Sequence, residues 1–363
     1  VDDRAVIAMA LIENIQREDL NPLEEALALR TQLYGAGSPE VAEVLHTMAS
    51  VYRRQGNFDH AMRYYQAALE VERKELGELH PDIASELRGM GLLLRDQRRY
   101  REAHEYLSSA LSVVQKSLGA DHVLTSDYYL ILGTNLVMLN RIPEATHAFQ
   151  RAFDIREKVD DSDGWRRSEA RYFLGLSLAR QGKLADALSL NQAGLEIGER
   201  DPNRKEARIA FNLHGVGVIL NALGRSSEAV PYLERALSVR QNMRPEELRP
   251  NLNRLAETQF ALAQALWALG KGPARLRAIE LARQAQANYT EWGNRPENEL
   301  ATVTSWLAAG PNKPAIVPFG GLVTAEPRSP AGAELPPAPL PSPTRSPMPA
   351  PTPAQAPTPA ATR

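Results

Sequence analysis

The chain has 363 residues, with 43% hydrophobic and 24% charged side chains and a formal net charge of −2. That near-neutral balance gives no reason to expect a polyanion partner, and the absence of cysteine removes disulfides, thiolate nucleophiles and sulfur-ligated zinc together. No run approaches the roughly 18 apolar residues of a membrane span and no basic-then-apolar leader opens the chain, so a cytoplasmic location is expected.

From the N-terminus, residues 1–36 read as a helical hairpin. Asn21-Pro22 ends one helix and opens the next, with Asn21 as cap and Pro22 in the first turn. Counting back 42 residues from Ala68 and Tyr65 lands on Ala26 and Leu23, which makes this second helix part of a degenerate leading repeat. The stretch from Ile7 to Ala26 closely resembles a box of the ParB family of chromosome- and plasmid-partition proteins. In that family the Glu-Asn-x-x-Arg element, here Glu13, Asn14 and Arg17, lies at the CTP-binding site near the triphosphate and its magnesium. The family's arginine-rich phosphate box and its helix-turn-helix are both missing. The resemblance therefore implies a spliced-in piece, with a nucleotide- or DNA-linked partition factor as the rival reading. The chain starts with Val1 rather than methionine, as a piece with an upstream part would.

Residues 37–309 carry one register that recurs every 42 residues. A small residue falls at Ala49, Gly91, Gly133, Gly175 and Gly217, and a large one three positions later at Tyr52, Leu94, Leu136, Leu178 and Leu220. Alanine follows at Ala61, Ala103, Ala145, Ala187 and Ala229. Antiparallel helices approach to about 8–10 Å only where the crossing point is small, so each copy predicts a helical hairpin. Gly56, Gly182 and Gly224 supply the left-handed turn between the two helices; Asn140 fills that role in the third copy and Arg98 departs from it in the second. Ser38-Pro39-Glu40 and His80-Pro81-Asp82 read as helix starts, His80 as a turn residue. A sixth copy keeps Ala263, Leu266 and Gly270 in register but has a shifted second helix, and residues 297–309 read as a terminal helix over the last open face. In the fourth copy Asn191 and Gly194 replace a large apolar residue and alanine, which predicts a weak, loosened seam there. One hairpin cannot bury both faces, so the copies must stack.

The pattern Leu45–Ala49–Tyr52–Gly56–Phe58–Ala61–Tyr65–Ala68, followed by Leu76-Gly77 and His80-Pro81-Asp82, resembles the tetratricopeptide repeats of kinesin light chain. Similar arrays serve as C-terminal regions of bacterial signalling kinases. The resemblance implies an all-α, right-handed α-solenoid whose concave groove holds a peptide segment of another protein. On that expectation the first helices line the groove in three rows: His46, Arg88, Leu130, Tyr172, His214 and Phe260; Ser50, Leu92, Thr134, Leu176, Val218 and Gln264; Arg53, Arg95, Val137, Ala179, Asn221 and Trp267. An acidic group would face Arg53, Arg88 and Arg95, and apolar anchors would sit near Tyr172, Phe260 and Trp267. The Lys/Asn carboxylate clamp of chaperone-binding relatives is not reproduced.

Sixteen of the 26 prolines lie beyond Gly310, so residues 310–363 read as a disordered Pro/Ala-rich tail. An apolar island at Ala315–Phe319 is a candidate to dock into the chain's own groove. No zinc-protease pair, phosphate-cradling loop or nucleophile elbow is present. The seven histidines lack metal spacing. The acidic run Asp160–Asp163 hints at a calcium loop, but Ala170 stands where its bidentate acid belongs. The expectation is a binding scaffold without cofactor, metal or catalytic site.

Overall fold

The computed structural model describes residues 21–158, 164–201, 205–244, 248, 251–270, 272–292 and 297–309. Among these residues there are fourteen helices and no strand. A leading helix α1 (Asn21–Tyr34) precedes six hairpins: α2 (Pro39–Arg54) with α3 (Phe58–Leu76), α4 (Pro81–Asp96) with α5 (Tyr100–Leu118), and α6 (Val123–Met138) with α7 (Ile142–Lys158). Then come α8 (Gly164–Arg180) with α9 (Leu184–Arg200), α10 (Glu206–Ala222) with α11 (Ser226–Gln241), and α12 (Leu252–Leu269) with α13 (Pro273–Trp292). The last helix is α14 (Glu297–Ala308). Each helix packs chiefly on its chain neighbours, and first helices of successive hairpins also touch, which makes an α-solenoid.

The small-residue register is where each hairpin closes. A Cβ on Gly133 would stand 2.5 Å from the Phe149 ring, and one on Gly217 would stand 2.5 Å from Leu233 Cγ. The same offset sets Gly91 against Leu107 and Gly175 against Asn191. The side chain sixteen residues on therefore fills the space left by the missing Cβ. The turn position is left-handed throughout the five strict copies, including the two without glycine: φ is 62° at Arg98 and 58° at Asn140. In the sixth hairpin Gly270 is extended and Gly272 takes the left-handed turn, at 69°. His80 is an N-cap, its Nδ1 accepting from the Asp82 amide at 3.3 Å, and His122, one repeat later, caps α6 in the same way at 3.2 Å.

The buried apolar side chains form two large clusters, one from Ala49 to Leu174 and one from Ala179 to Trp306. The division falls in the fourth repeat, where polar groups enter the packing. Asn191 is fully buried there rather than exposed, because the Cβ-less surfaces of Gly175 and Gly215 admit its amide from both sides. Its Nδ2 donates to Ala187 O at 3.1 Å, and its Oδ1 has no hydrogen-bond partner among the described residues. Asn212 donates to Ser168 Oγ, which donates on to Gly194 O at 2.8 Å. The fourth repeat is thus a polar seam, closed rather than open.

Candidate partner groove

Residues of the rows expected to line the groove bond to the next repeat. His46 Nδ1 lies 2.5 Å from Glu86 Oε1, Arg53 pairs with Asp96 at 2.5 Å, and Arg95 donates to Thr134 Oγ1 at 3.1 Å. Arg88 lies over the Tyr128 ring at 5.5 Å, His214 Nδ1 faces Thr258 Oγ1 at 3.3 Å, and Asn221 donates to Ala261 O at 2.9 Å. Every one of these partners lies on the first helix of the next repeat, 39 to 44 residues on, because successive first helices stack side by side. Burial, opposed by Asp96, holds the Arg95 guanidinium below its usual range, with Arg53 and Arg254 adding to the depression.

The row that stays accessible is the second. Ser50, Leu92, Thr134, Leu176 and Val218 are half-buried, and only Gln264 at the C-terminal end is covered. The first and third rows close progressively toward that end. Tyr172, Phe260 and Trp267 are 3%, 2% and 8% exposed, so the expectation that they offer apolar anchors to a partner is corrected. Tyr172 packs edge-on to Phe173 and Phe211, with centroids 5.2 and 5.8 Å apart. Phe260 and Trp267 both stand edge-on to Trp306 of α14 at 5.6 Å, so the last helix of the chain covers them. His214 and Asn221 are buried too. Burial, with Arg240 and Arg254 nearby, holds the His214 imidazole neutral, well below the usual histidine range. Glu13, Asn14 and Arg17, the Asp160–Asp163 run and the Ala315–Phe319 island lie outside the described residues.

A second set of polar residues escaped the sequence reading, because it occupies a register position that is apolar in one copy and glycine in another. On the last turns of the second helices, Arg30, Glu72, Val114, Arg156, Gly198 and Arg240 follow one another at 42-residue spacing, and all are buried. Arg30 reaches Glu40 O at 2.7 Å and Glu43 at 2.5 Å. Arg156 reaches Arg166 O at 2.6 Å, Asp127 at 2.5 Å and Glu169 at 3.0 Å. Each arginine therefore staples its helix to the opening turn of the next repeat. Glu72 is the exception, an acid beside Glu86 and Asp82; burial and those two carboxylates push its pKa up to about 8. Among the described residues no three acidic or imidazole side chains gather as a metal site.

Stacked helical hairpins that repeat one packing register define a helical-repeat protein. The sequence pattern of the tetratricopeptide repeat matches residues 23–74, 82–158 and 166–242, more than half of the chain, and the protein belongs to that family. Solved structures share the fold. BtubC from P. vanneervenii is 17% identical with a TM-score of 0.53, over 68% of this chain and 95% of that one. The apo form of RapI is 17% identical with a TM-score of 0.58, over 80% of this chain and 98% of that one. A 30-residue segment, 8% of the chain, is 83% identical to the probable chromosome-partitioning protein ParB of Xylella fastidiosa. The chain thus spans only 10% of the length of that relative. The ParB of Vibrio cholerae matches at 39% identity over 79 residues, 27% of its length. No described helix is long and apolar enough to cross a membrane.

Proposed function

We propose that this repeat protein is an interaction scaffold that takes a peptide segment of a partner in the N-terminal and middle part of its groove. The observation that carries the reading is the half-exposed second row from Ser50 to Val218, flanked by Arg53 and Arg95. It offers methyl and methylene surface in its floor and cationic groups at one rim, the pairing that an extended or helical segment with acidic and apolar positions fits. Arg53 enters this reading with Asp96 already on it and Arg88 lies on Tyr128, so a partner's acid competes for them, whereas Arg95 gives its hydrogen bond to a neutral hydroxyl. Affinity capture with wild type and with an Arg53/Arg88/Arg95 triple alanine variant tests this. Loss of specific partners from the variant is expected, and an unchanged set removes the basic rim from the reading.

The ParB-like segment supports a second reading, a nucleotide- or DNA-linked partition factor. Calorimetry with CTP and magnesium separates the two. Micromolar binding that disappears on Glu13→Ala or Arg17→Ala would favour the second over the first.

A further inference from the structure

The arginine at the end of α11 is wired differently from its counterparts. Arg30 and Arg156 each hold at least one carboxylate, and Arg156 holds two. Arg240, 4% exposed, donates only to Arg254 O and to Thr258 Oγ1, and its Nη2 has no partner among the described residues. The register shows what is missing. Asp127 precedes Arg156 by 29 residues, and the residue 29 before Arg240 is Phe211. Glu169 follows Arg156 by 13 residues; the connection to the sixth repeat is four residues longer, since Ala263 follows Gly217 by 46 instead of 42, so the counterpart is Glu257. Glu257, however, gives its ion pair to Arg254 at 3.2 Å and reaches Arg240 through its charge without a hydrogen bond.

Two guanidiniums, Arg240 and Arg254, therefore lie over the Phe211 ring at 5.6 and 5.5 Å and share, among the described residues, the carboxylate of Glu257. His214 beside them is neutral and adds no charge. A buried guanidinium short of its carboxylate is a costly arrangement that an incoming anion relieves. Arg254 gives the access, since its side chain is 32% exposed.

We propose that this joint is a carboxylate-recognition site on the groove wall. A glutamate or aspartate side chain, or a chain terminus, binds Arg254; Glu257 is released to Arg240 Nη2, completing the pairing that Arg30–Glu43 and Arg156–Glu169 already show. The missing group at this register is a carboxylate, which favours that chemistry over phosphate. The identity of the carrier as a peptide rests on the groove reading above; the site itself does not.

The test is thermal unfolding and calorimetry of the full chain titrated with glutarate, with inorganic phosphate, and with sodium chloride at matched ionic strength. Glutarate is expected to raise the unfolding midpoint of wild type beyond chloride. Arg254→Gln, at a half-exposed position, should weaken the apparent affinity about tenfold or more. Phe211→Asp, which rebuilds the place of Asp127, should abolish the response, although losing the ring contacts with Trp165 and Tyr172 lowers its unfolding midpoint. An equal response in wild type and both variants, or no excess over chloride, overturns the site, and a stronger response to phosphate overturns the carboxylate assignment. A normal glutarate response with no captured partner would sink the groove reading and leave this site standing.

Discussion

Trp306 stands edge-on to Trp267, ring centroids 5.6 Å apart at 74°, and through this contact the last helix of the chain closes the C-terminal end of its own groove. Phe260 meets the same indole at 88°. Truncating a buried indole costs about 3–5 kcal/mol, and Trp306 is 2% exposed. Trp306→Ala should therefore lower the unfolding midpoint and red-shift the fluorescence of Trp267 as water reaches it. An unshifted emission would mean that α14 does not cover that ring.

Glu72 predicts a pH dependence of stability. Its pKa lies at about 8 in the folded chain against an ordinary 4.5, mainly from burial and then from Glu86 and Asp82 on α4. A raised carboxyl means that folding takes up a proton, so the stability is fully present below about pH 4.5 and is lost as pH rises through about 8. At about 1.4 kcal/mol per pH unit the loss amounts to roughly 5 kcal/mol at most. Urea midpoints measured from about pH 5 to about pH 9 should fall in wild type and stay flatter in Glu72→Gln. Parallel profiles would show that Glu72 is not the titrating group.

Asn191 occupies the place held by Tyr65, Leu107, Phe149 and Leu233 in the other strict copies. It is 0% exposed with an unpartnered Oδ1. Leaving a buried acceptor unpaired costs about 1–3 kcal/mol, and leucine at the same register already fits against Gly91 and Gly217. Asn191→Leu is expected to stabilise the chain by about 1–2 kcal/mol in chemical denaturation. Destabilisation would show that the seam needs the amide.

Arg98 holds φ at 62° where Gly56, Gly182 and Gly224 have 77°, 80° and 73°. A left-handed backbone costs a residue with a Cβ about 1–2 kcal/mol, and glycine escapes that at some loss of unfolded-state entropy. Arg98→Gly should gain up to about 1 kcal/mol, while Gly224→Val should lose more than that. Equal midpoints for the two variants would exclude backbone strain as the cause.

The repeat itself was legible because its physical demands are local. A small residue at each crossing, alanine early in the second helix and a left-handed turn between them recur at fixed spacing, so the hairpins at Ala49, Gly91, Gly133, Gly175 and Gly217 could be placed by counting. Even Arg98, which departs from the turn residue, adopts the turn, because packing on both sides over-determines it.

The groove was legible only as a set of positions. Which helix faces inward was an implication of the resemblance to kinesin light chain repeats, and whether a given side chain is free depends on what the neighbouring repeat and the last helix place against it. Those partners lie about 40 residues away or further, as with Arg53 and Asp96, Asn221 and Ala261, and Trp267 and Trp306. The sequence alone thus determined the solenoid and its register. Only the tertiary structure decided that Tyr172, Phe260 and Trp267 are buried, that Glu72 is an acid in an arginine's place, and that Arg240 Nη2 has no partner among the described residues. Burial and pairing are properties of stacked repeats, and no single repeat encodes them.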